Sequence, residues 1–178
     1  SSAASDVYKR QLNAAARMAI ASADKVSNPG CYPQGFILSV LPLIEAGLLN
    51  AATPLRCYAV SGYSGGGRQM IEAFQARTKT QADALNTQAY GLTQSHKHLP
   101  EMQHYSGCDQ APIFLPTVAH YYKGMLVSVA FFADELSGAT PEDVQRVLAQ
   151  RYAGERFIKV PPANAAESLS NGYLNPTA

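Results

Sequence analysis

Residues 55–67 of the chain read LRCYAVSGYSGGG, and this stretch decides the fold. Its first half is rich in apolar, β-branched and aromatic residues, and it predicts a short β-strand over residues 55–61. Its second half is a cluster of glycines, which is typical of a tight connection. Residues 68–85 are compatible with a helix, although they are mostly polar. A strand that leads through a glycine turn into a helix indicates an α/β domain.

Two further helices are predicted, one from the spacing of its apolar residues and one from the residues at its start. Before the strand, apolar residues recur at spacings of three and four over residues 33–48, which predicts a helix with one buried face. Near the C-terminal end, Thr140 is a helix N-cap and Pro141 occupies the first helical position, followed by acidic residues in the first turn. Shorter helices are predicted over the Ala-rich residues 12–23 and from His98 onward.

Additional strands are predicted over residues 88–93, 111–118, 123–133 and 156–160. In the third of these, apolar side chains occupy alternate positions and so share one face of a sheet. Helices and strands together predict a domain of the α/β, or α+β, class.

The composition indicates a globular chain of one domain. The chain has 178 residues, of which 47% are hydrophobic and 15% charged, and its net charge is +1. We therefore expect neither a general nucleic-acid-binding nor a membrane surface, and the longest uncharged apolar stretch is too short and broken to span a bilayer. Three scattered cysteines favour free thiols, and thus a cytoplasmic protein.

The two ends of the chain are expected to differ from the rest. Residues 1–11 read SSAASDVYKRQ and resemble translated adapter sequence, so we expect them to be non-native. We expect residues 12–178 to form one domain that is incomplete at its C-terminal end.

Cys31 is the first candidate for chemistry. It follows the turn Asn28-Pro29-Gly30 and opens the predicted helix. Unpaired N–H groups and the positive end of the helix dipole favour a thiolate over a thiol there, so Cys31 is a candidate nucleophile. The alternative is a small buried apolar cysteine, which is also the expectation for Cys57.

A second candidate group lies in residues 96–101, which read HKHLPE. His98 is a candidate general acid/base that Glu101 orients, and His96 and Lys97 supply positive charge for an anionic substrate. The alternative is a solvated polar loop. The remaining histidines do not complete a known metal-ligand spacing, so no metal site is predicted.

The third candidate group is the turn and helix start over residues 61–68, which read SGYSGGGR. Successive glycines allow backbone amides to approach an anion, and Arg68 is suited to a carboxylate or phosphate. The stretch matches neither of the common nucleotide-binding glycine motifs. The alternative is a flexible strand-to-helix connection.

These three groups, in this order, resemble the N-acetyl-γ-glutamyl-phosphate reductases. The likeness extends to residues 114–116, 123–125 and 171–176, and it is nearest to the branch with shorter chains. It implies a reductase of arginine biosynthesis that converts N-acetyl-γ-glutamyl phosphate to N-acetyl-L-glutamate 5-semialdehyde. It further implies NADPH as the cofactor, a small acyl phosphate as the substrate and a homo-oligomer.

The resemblance also implies residue roles. Cys31 is the nucleophile that forms a thioester, and His98 is the acid/base. Glu101 and Asn28 are implied as supporting residues, with Asn28 near the oxyanion hole. The implied substrate-binding residues are His96, Arg68, Ser61, Gly62 and Ser64.

The resemblance is to the catalytic domain of glyceraldehyde-3-phosphate dehydrogenase-like reductases. It implies an α/β, or α+β, fold with a mixed sheet and helices on one of its faces. The family's Rossmann domain, which binds the dinucleotide, has no counterpart before Leu12 in this sequence, so we expect this chain alone to be inactive. Two alternatives share the Cys31 chemistry: a reductase of the aspartate-semialdehyde or aminoadipyl type, and a nucleotide-independent thiol hydrolase or acyltransferase. A third is a non-catalytic assembly module.

Overall fold

A computed structural model describes residues 18, 20–26, 29–80 and 87–163 of the chain. Helix α1 spans Cys31–Glu45, strand β1 spans Arg56–Gly62, and a 3-10 turn over Tyr63–Gly66 leads into helix α2, Gly67–Thr80. Strand β2 spans Thr87–Ala89, helix α3 Leu99–Ser106, strand β3 Ile113–Ala119 and strand β4 Met125–Val129. A second 3-10 turn, Ala133–Leu136, precedes helix α4, Pro141–Arg151.

The strands form one mixed sheet in the order β2-β3-β1-β4. Strand β1 is parallel to β3, with Arg56 opposite Ile113 and Gly62 opposite Ala119. It is antiparallel to β4, and β2 is antiparallel to β3. The carboxyl ends of β1 and β3 therefore meet at one edge of the sheet, which is where open α/β sheets commonly bind ligands.

Helices α1, α3 and α4 share a core with one face of this sheet, as predicted. Phe36 and Val40 of α1 pack with Met102 of α3 against Cys57 and Phe114 in the strands. Gly35 makes a close approach possible, because a β-carbon there would lie 2.8 Å from the side chain of Val127 in β4. The predicted fold class, a mixed sheet with helices on one face, is confirmed.

The other face of the sheet is not covered within the described residues. Alternate strand positions point there, and Tyr58 and Ile113 are 48% and 55% exposed. Val60, Leu115 and Leu126 on the same face are half-buried.

Several predicted boundaries need correction. The strand predicted over residues 156–160 is wrong, since these residues form a turn and irregular backbone. The strand predicted over 88–93 ends at Ala89, because the chain turns at Gly91, whose φ is +62°. Helix α1 begins at residue 31 and ends at 45, and of the helix predicted over 12–23 only residues 18 and 20–23 are described. Within the described residues, no helix is long and apolar enough to cross a membrane.

Candidate functional site

A cleft of about 550 Å³ opens at the carboxyl ends of β1 and β3. It brings together the three groups of candidate residues that are separated in the sequence. Its wall contains Cys31, Tyr32, Ser61, Gly62, Ser64, Gly65, Gly66, Met70, Tyr90, His96, Lys97, His98, Val118, Gly124 and Met125.

Cys31 is the first residue of α1 and its side chain is exposed in the cleft. The helix begins there because Gly30 takes an extended conformation, and Pro33, which has no N–H to leave unpaired, fits in the first turn. The backbone N–H groups at this helix start have no partner within the helix. They lie beside the thiol and are suited to stabilise negative charge.

Gly30 brings His98 and Glu101 next to the helix start. A β-carbon at residue 30 would lie 2.5 Å from Nε2 of His98 and 2.8 Å from Oε2 of Glu101. The imidazole of His98 therefore lies against the residue that precedes Cys31, with its Nε2 on that side. Any larger residue at position 30 would displace both side chains.

His98 is buried, and its surroundings favour the neutral imidazole. Desolvation, followed by the neighbouring His96, lowers the pKa of His98, while Glu101 opposes the shift and Lys97 adds to it. Its buried Nδ1 has no hydrogen-bond partner within the described residues. A neutral imidazole at pH 7 is free to accept a proton.

His96 is fixed by its own loop. Its Nδ1 accepts a hydrogen bond from the backbone N–H of His98 at 3.1 Å, so the neutral ring carries its proton on Nε2. Burial and the charge of Lys97 lower the pKa of His96, which Glu101 partly opposes. The two imidazole rings lie 4.7 Å apart in an edge-on arrangement.

A chain of hydroxyl groups links α1 to two other elements. The hydroxyl of Tyr32 is hydrogen bonded to Oγ of Ser61 at 2.7 Å and to the hydroxyl of Tyr90 at 2.8 Å. Burial raises the pKa of Tyr90 far above its usual range, and its bond to Tyr32 and the nearby Cys31 add to the shift. The Tyr90 hydroxyl therefore stays protonated, and the two hydrogen bonds of the chain leave one of its three hydroxyl protons to donate into the cleft.

The glycine turn is held by backbone contacts. Gly62 donates to the carbonyl of Gly124 at 2.9 Å, and Ser64 donates to that of Tyr122 at 2.8 Å. A β-carbon at Gly62 would lie 2.6 Å from the carbonyl oxygen of Tyr122. The backbone amides of Gly62 and Ser64 are thus already used, whereas the side chain of Ser64 borders the cleft.

One predicted site residue lies away from the cleft, and another is not described. Arg68 is 91% exposed on α2, pairs with Glu72 at 2.7 Å, and is not in the cleft wall. Asn28 lies outside the described residues. Among the described residues, no cluster of three or more His, Cys, Asp or Glu side chains is arranged to hold a metal ion.

The sequence interpretation missed Tyr32, Tyr90, Met70 and Met125. Tyr32 directly follows Cys31, and this adjacency was a usable signal. Tyr90 is the first residue of the loop that follows the three-residue strand β2. Its position in the cleft wall depends on the course of that loop, so no local sequence pattern marks Tyr90. Met70 and Met125, with Val118, form the apolar part of the wall.

Comparison with known proteins places the sequence of this chain in a family. The sequence model described as "Semialdehyde dehydrogenase, dimerisation domain" matches residues 31–173. The chain is 44% identical over 154 residues to a protein of Brucella ovis named N-acetyl-gamma-glutamyl-phosphate reductase, covering 86% of this chain and 50% of that protein. A protein of the same name from Brucella suis is 42% identical over 160 residues, covering 89% of this chain and 52% of its own length.

The chain thus spans about half the length of the curated relatives it matches. The match begins at Cys31, the first residue of α1, and includes every strand of the sheet and all the residues of the cleft wall. The chain therefore belongs to the semialdehyde dehydrogenase family and corresponds to its dimerisation domain.

Proposed function

We propose that this chain is the catalytic and dimerisation part of an N-acetyl-γ-glutamyl-phosphate reductase of arginine biosynthesis. One observation carries the proposal: exposed Cys31 at a helix start and buried, neutral His98 line the same cleft, although 67 positions separate them. The names of the similar Brucella proteins support this substrate over other acyl phosphates. Three free thiols fit the reducing cytoplasm, where we place the enzyme.

In the first step His98 accepts the proton of the Cys31 thiol. The thiolate attacks the acyl carbon of the substrate, and a C–S bond forms as the carbonyl π electrons move to oxygen. The tetrahedral oxyanion lies beside the N–H groups at the start of α1, which have no partner within the helix. When it collapses, the C–O bond to phosphate breaks, phosphate leaves with the electron pair, and a thioester on Cys31 remains.

The second half of the reaction returns the proton. Addition of hydride to the thioester carbonyl produces an oxyanion, which His98 protonates to give a hemithioacetal. Loss of the hydroxyl proton back to His98 restores the C=O bond, the C–S bond breaks, and the semialdehyde leaves. Cys31 is then a thiolate beside protonated His98, which returns the proton to it and restores the starting state. The neutral state of His98 favoured by its surroundings matches this acceptor role.

The charged and hydroxyl groups of the cleft are assigned to the substrate. We assign Lys97 and the Nε2–H of His96 to its phosphate or carboxylate, and Ser61 and Ser64 to further hydrogen bonds with it. Their position in the cleft wall supports this assignment. Met70, Met125 and Val118 accept its methylene groups. Arg68 is exposed and paired with Glu72, so its assignment to the substrate requires a change of rotamer.

NADPH, when bound, supplies the hydride. Among the described residues, those that we assign to the cofactor border the open side of the cleft beside the Cys31 thiol. The exposure of Cys31 and the glycines at 65 and 66 leave that side unobstructed. These features fit the reactive ring of such a cofactor.

We further propose that the enzyme is a homo-oligomer, and that the uncovered sheet face pairs with a second copy. The face carries exposed Tyr58 and Ile113 beside half-buried Val60, Leu115 and Leu126. The description of the matched family as a dimerisation domain supports this assignment. An apolar sheet face is the kind of surface that obligate dimers bury.

The test uses the full-length protein that contains this chain. We expect phosphate- and NADP⁺-dependent oxidation of N-acetylglutamate semialdehyde. Cys31→Ser should lower kcat by at least about three orders of magnitude, because an alcohol is a far weaker nucleophile than a thiolate. Cys108→Ala is the matched control, since Cys108 is buried outside the cleft.

The rival functions predict different results. A clear preference for aspartate semialdehyde or an aminoadipyl substrate would move the enzyme to another branch of acyl-phosphate reductases. Thioester turnover that needs Cys31 and no nucleotide would establish a thiol hydrolase or acyltransferase instead. Full activity of Cys31→Ser would overturn the proposed mechanism.

A further inference from the structure

Gln94 lies in the loop over residues 90–98, which connects β2 to α3 and carries both histidines of the cleft. Strand β2 pairs with only residues 117–119 of β3, and the backbone N–H of Tyr90 adds one bond to the carbonyl of Pro116. Further along this edge, β3 has no strand beside it within the described residues. The loop therefore needs some other attachment to the sheet if its histidines are to stay in place.

The side chain of Gln94 supplies that attachment. Its Nε2 donates to the carbonyl of Phe114 at 2.9 Å, and its Oε1 accepts from the N–H of Phe114 at 2.8 Å. One side-chain amide thus satisfies both backbone groups of a strand residue, as a neighbouring strand would. Only a group that both donates and accepts can do this, and the length of glutamine sets the reach.

The backbone at Gln94 points to the same conclusion. Its φ of +55° lies in the left-handed region, which residues other than glycine rarely adopt. Such a conformation persists where surrounding contacts hold it. Here the two bonds to Phe114 are those contacts, together with the bond from the N–H of Gln94 to the carbonyl of Gly91 at 3.2 Å.

Phe114 connects the attachment to the reactive groups. Its ring packs edge-on against His96 at 5.2 Å and against Tyr32 at 5.1 Å. His96 in turn accepts the hydrogen bond from the backbone of His98. A displacement of the loop from β3 would therefore move both imidazoles relative to Cys31.

We propose that Gln94 is a positioning residue that fixes His96 and His98 in the cleft by clamping their loop onto Phe114. The inference rests on the proposed function, in which His98 transfers protons to and from Cys31 and its substrate. Gln94 does not line the cleft and acts through the histidines.

The test compares Gln94→Glu with Gln103→Glu in the full-length protein. Both changes replace an amide that donates to a backbone carbonyl, since Nε2 of Gln103 donates to Asp109 at 2.8 Å, and both add the same charge. Gln103 lies on α3 outside the cleft. Gln94→Asn is the second variant, because asparagine tolerates a positive φ but is one methylene too short to bridge.

We expect Gln94→Glu and Gln94→Asn to lower kcat about tenfold or more and to change KM by less than about twofold. The ¹⁵N resonances of the His96 and His98 imidazoles should move in both variants, while Gln103→Glu matches wild type in each measurement. Thermal unfolding shows which variants are folded at the assay temperature. If Gln94→Glu is unfolded there, Gln94→Asn alone is used for the comparison.

Unchanged kcat and unchanged imidazole resonances in folded Gln94 variants would overturn the inference. Failure of the proposed function would look different, because the wild-type protein would then not oxidise the semialdehyde. In that case the imidazole resonances alone decide whether Gln94 fixes the histidine loop.

Discussion

Among single residues, the three cysteines have the same type of side chain but lie in different surroundings. Cys31 is exposed at a helix start, whereas Cys57 and Cys108 are buried. Burial raises the pKa of Cys57 to about 12 and also raises that of Cys108, for which a bond from Ser106 opposes part of the effect. Reactivity follows the thiolate and its access to solvent.

We therefore predict that iodoacetamide at pH 7 alkylates Cys31 at least about tenfold faster than either of the other cysteines. Peptide mass spectrometry of a time course measures the three rates in one sample, so Cys57 and Cys108 act as internal controls. Equal labelling of all three thiols in the folded protein would contradict an activated Cys31.

At the scale of elements, helix α4 shows how local sequence fixes a boundary. Thr140 Oγ1 accepts from the N–H of Asp143 at 3.2 Å, and Asp143 Oδ2 accepts from the N–H of Thr140 at 3.0 Å. This reciprocal capping box was predicted from the sequence in part, through Thr140 and Pro141. The hydrogen bonds from Thr140 and Arg146 hold the pKa of Asp143 below its usual range.

We predict that Thr140→Ala lowers the free energy of unfolding by about 1 kcal/mol at pH 7. The pKa of Asp143 is lower in the folded protein than in the unfolded chain. The stabilisation that ionised Asp143 adds to the cap is therefore present above the ordinary carboxylate pKa, and it is lost as the pH falls through the pKa of the folded state. The difference from wild type should therefore shrink below about pH 4.

Urea denaturation at several pH values measures this difference. The control is Gln150→Ala, which replaces an exposed side chain of the same helix and removes no capping hydrogen bond. A Thr140→Ala effect that is no larger than that of the control would contradict the capping role.

At the scale of the whole molecule, the sheet has one face covered by helices and one face uncovered within the described residues. Tyr58 lies in the central part of the uncovered face, opposite Leu115 in β3 and Ser128 in β4. If the face is buried in a dimer, a charge at Tyr58 is desolvated without a partner and weakens association.

If copies of the full-length protein pair through this face as proposed, we predict that Tyr58→Asp lowers the mass in solution from that of a dimer to that of a monomer at micromolar concentration. Light scattering after size-exclusion chromatography measures the mass. Phe157→Asp is the control, since Phe157 is an exposed aromatic residue outside the sheet. An unchanged mass for Tyr58→Asp would show that copies associate through another surface.

Elements with local signals could be predicted from the order of the amino acids. The periodicity before Glu45, the glycine turn after β1 and the cap at Thr140 each act through neighbours a few residues apart, and the structure confirms those elements. The order of the three motifs was also enough to indicate the family that the comparisons then showed.

Which of these residues meet depends on how the chain folds in three dimensions. It joins Tyr32 to Ser61 and Tyr90, places Gly30 against His98, and clamps the histidine loop through Gln94. It also leaves Arg68 outside the cleft wall. These contacts join segments 20 to 68 positions apart, and their partners are set by how α1 and α3 pack on the sheet, which no local spacing encodes.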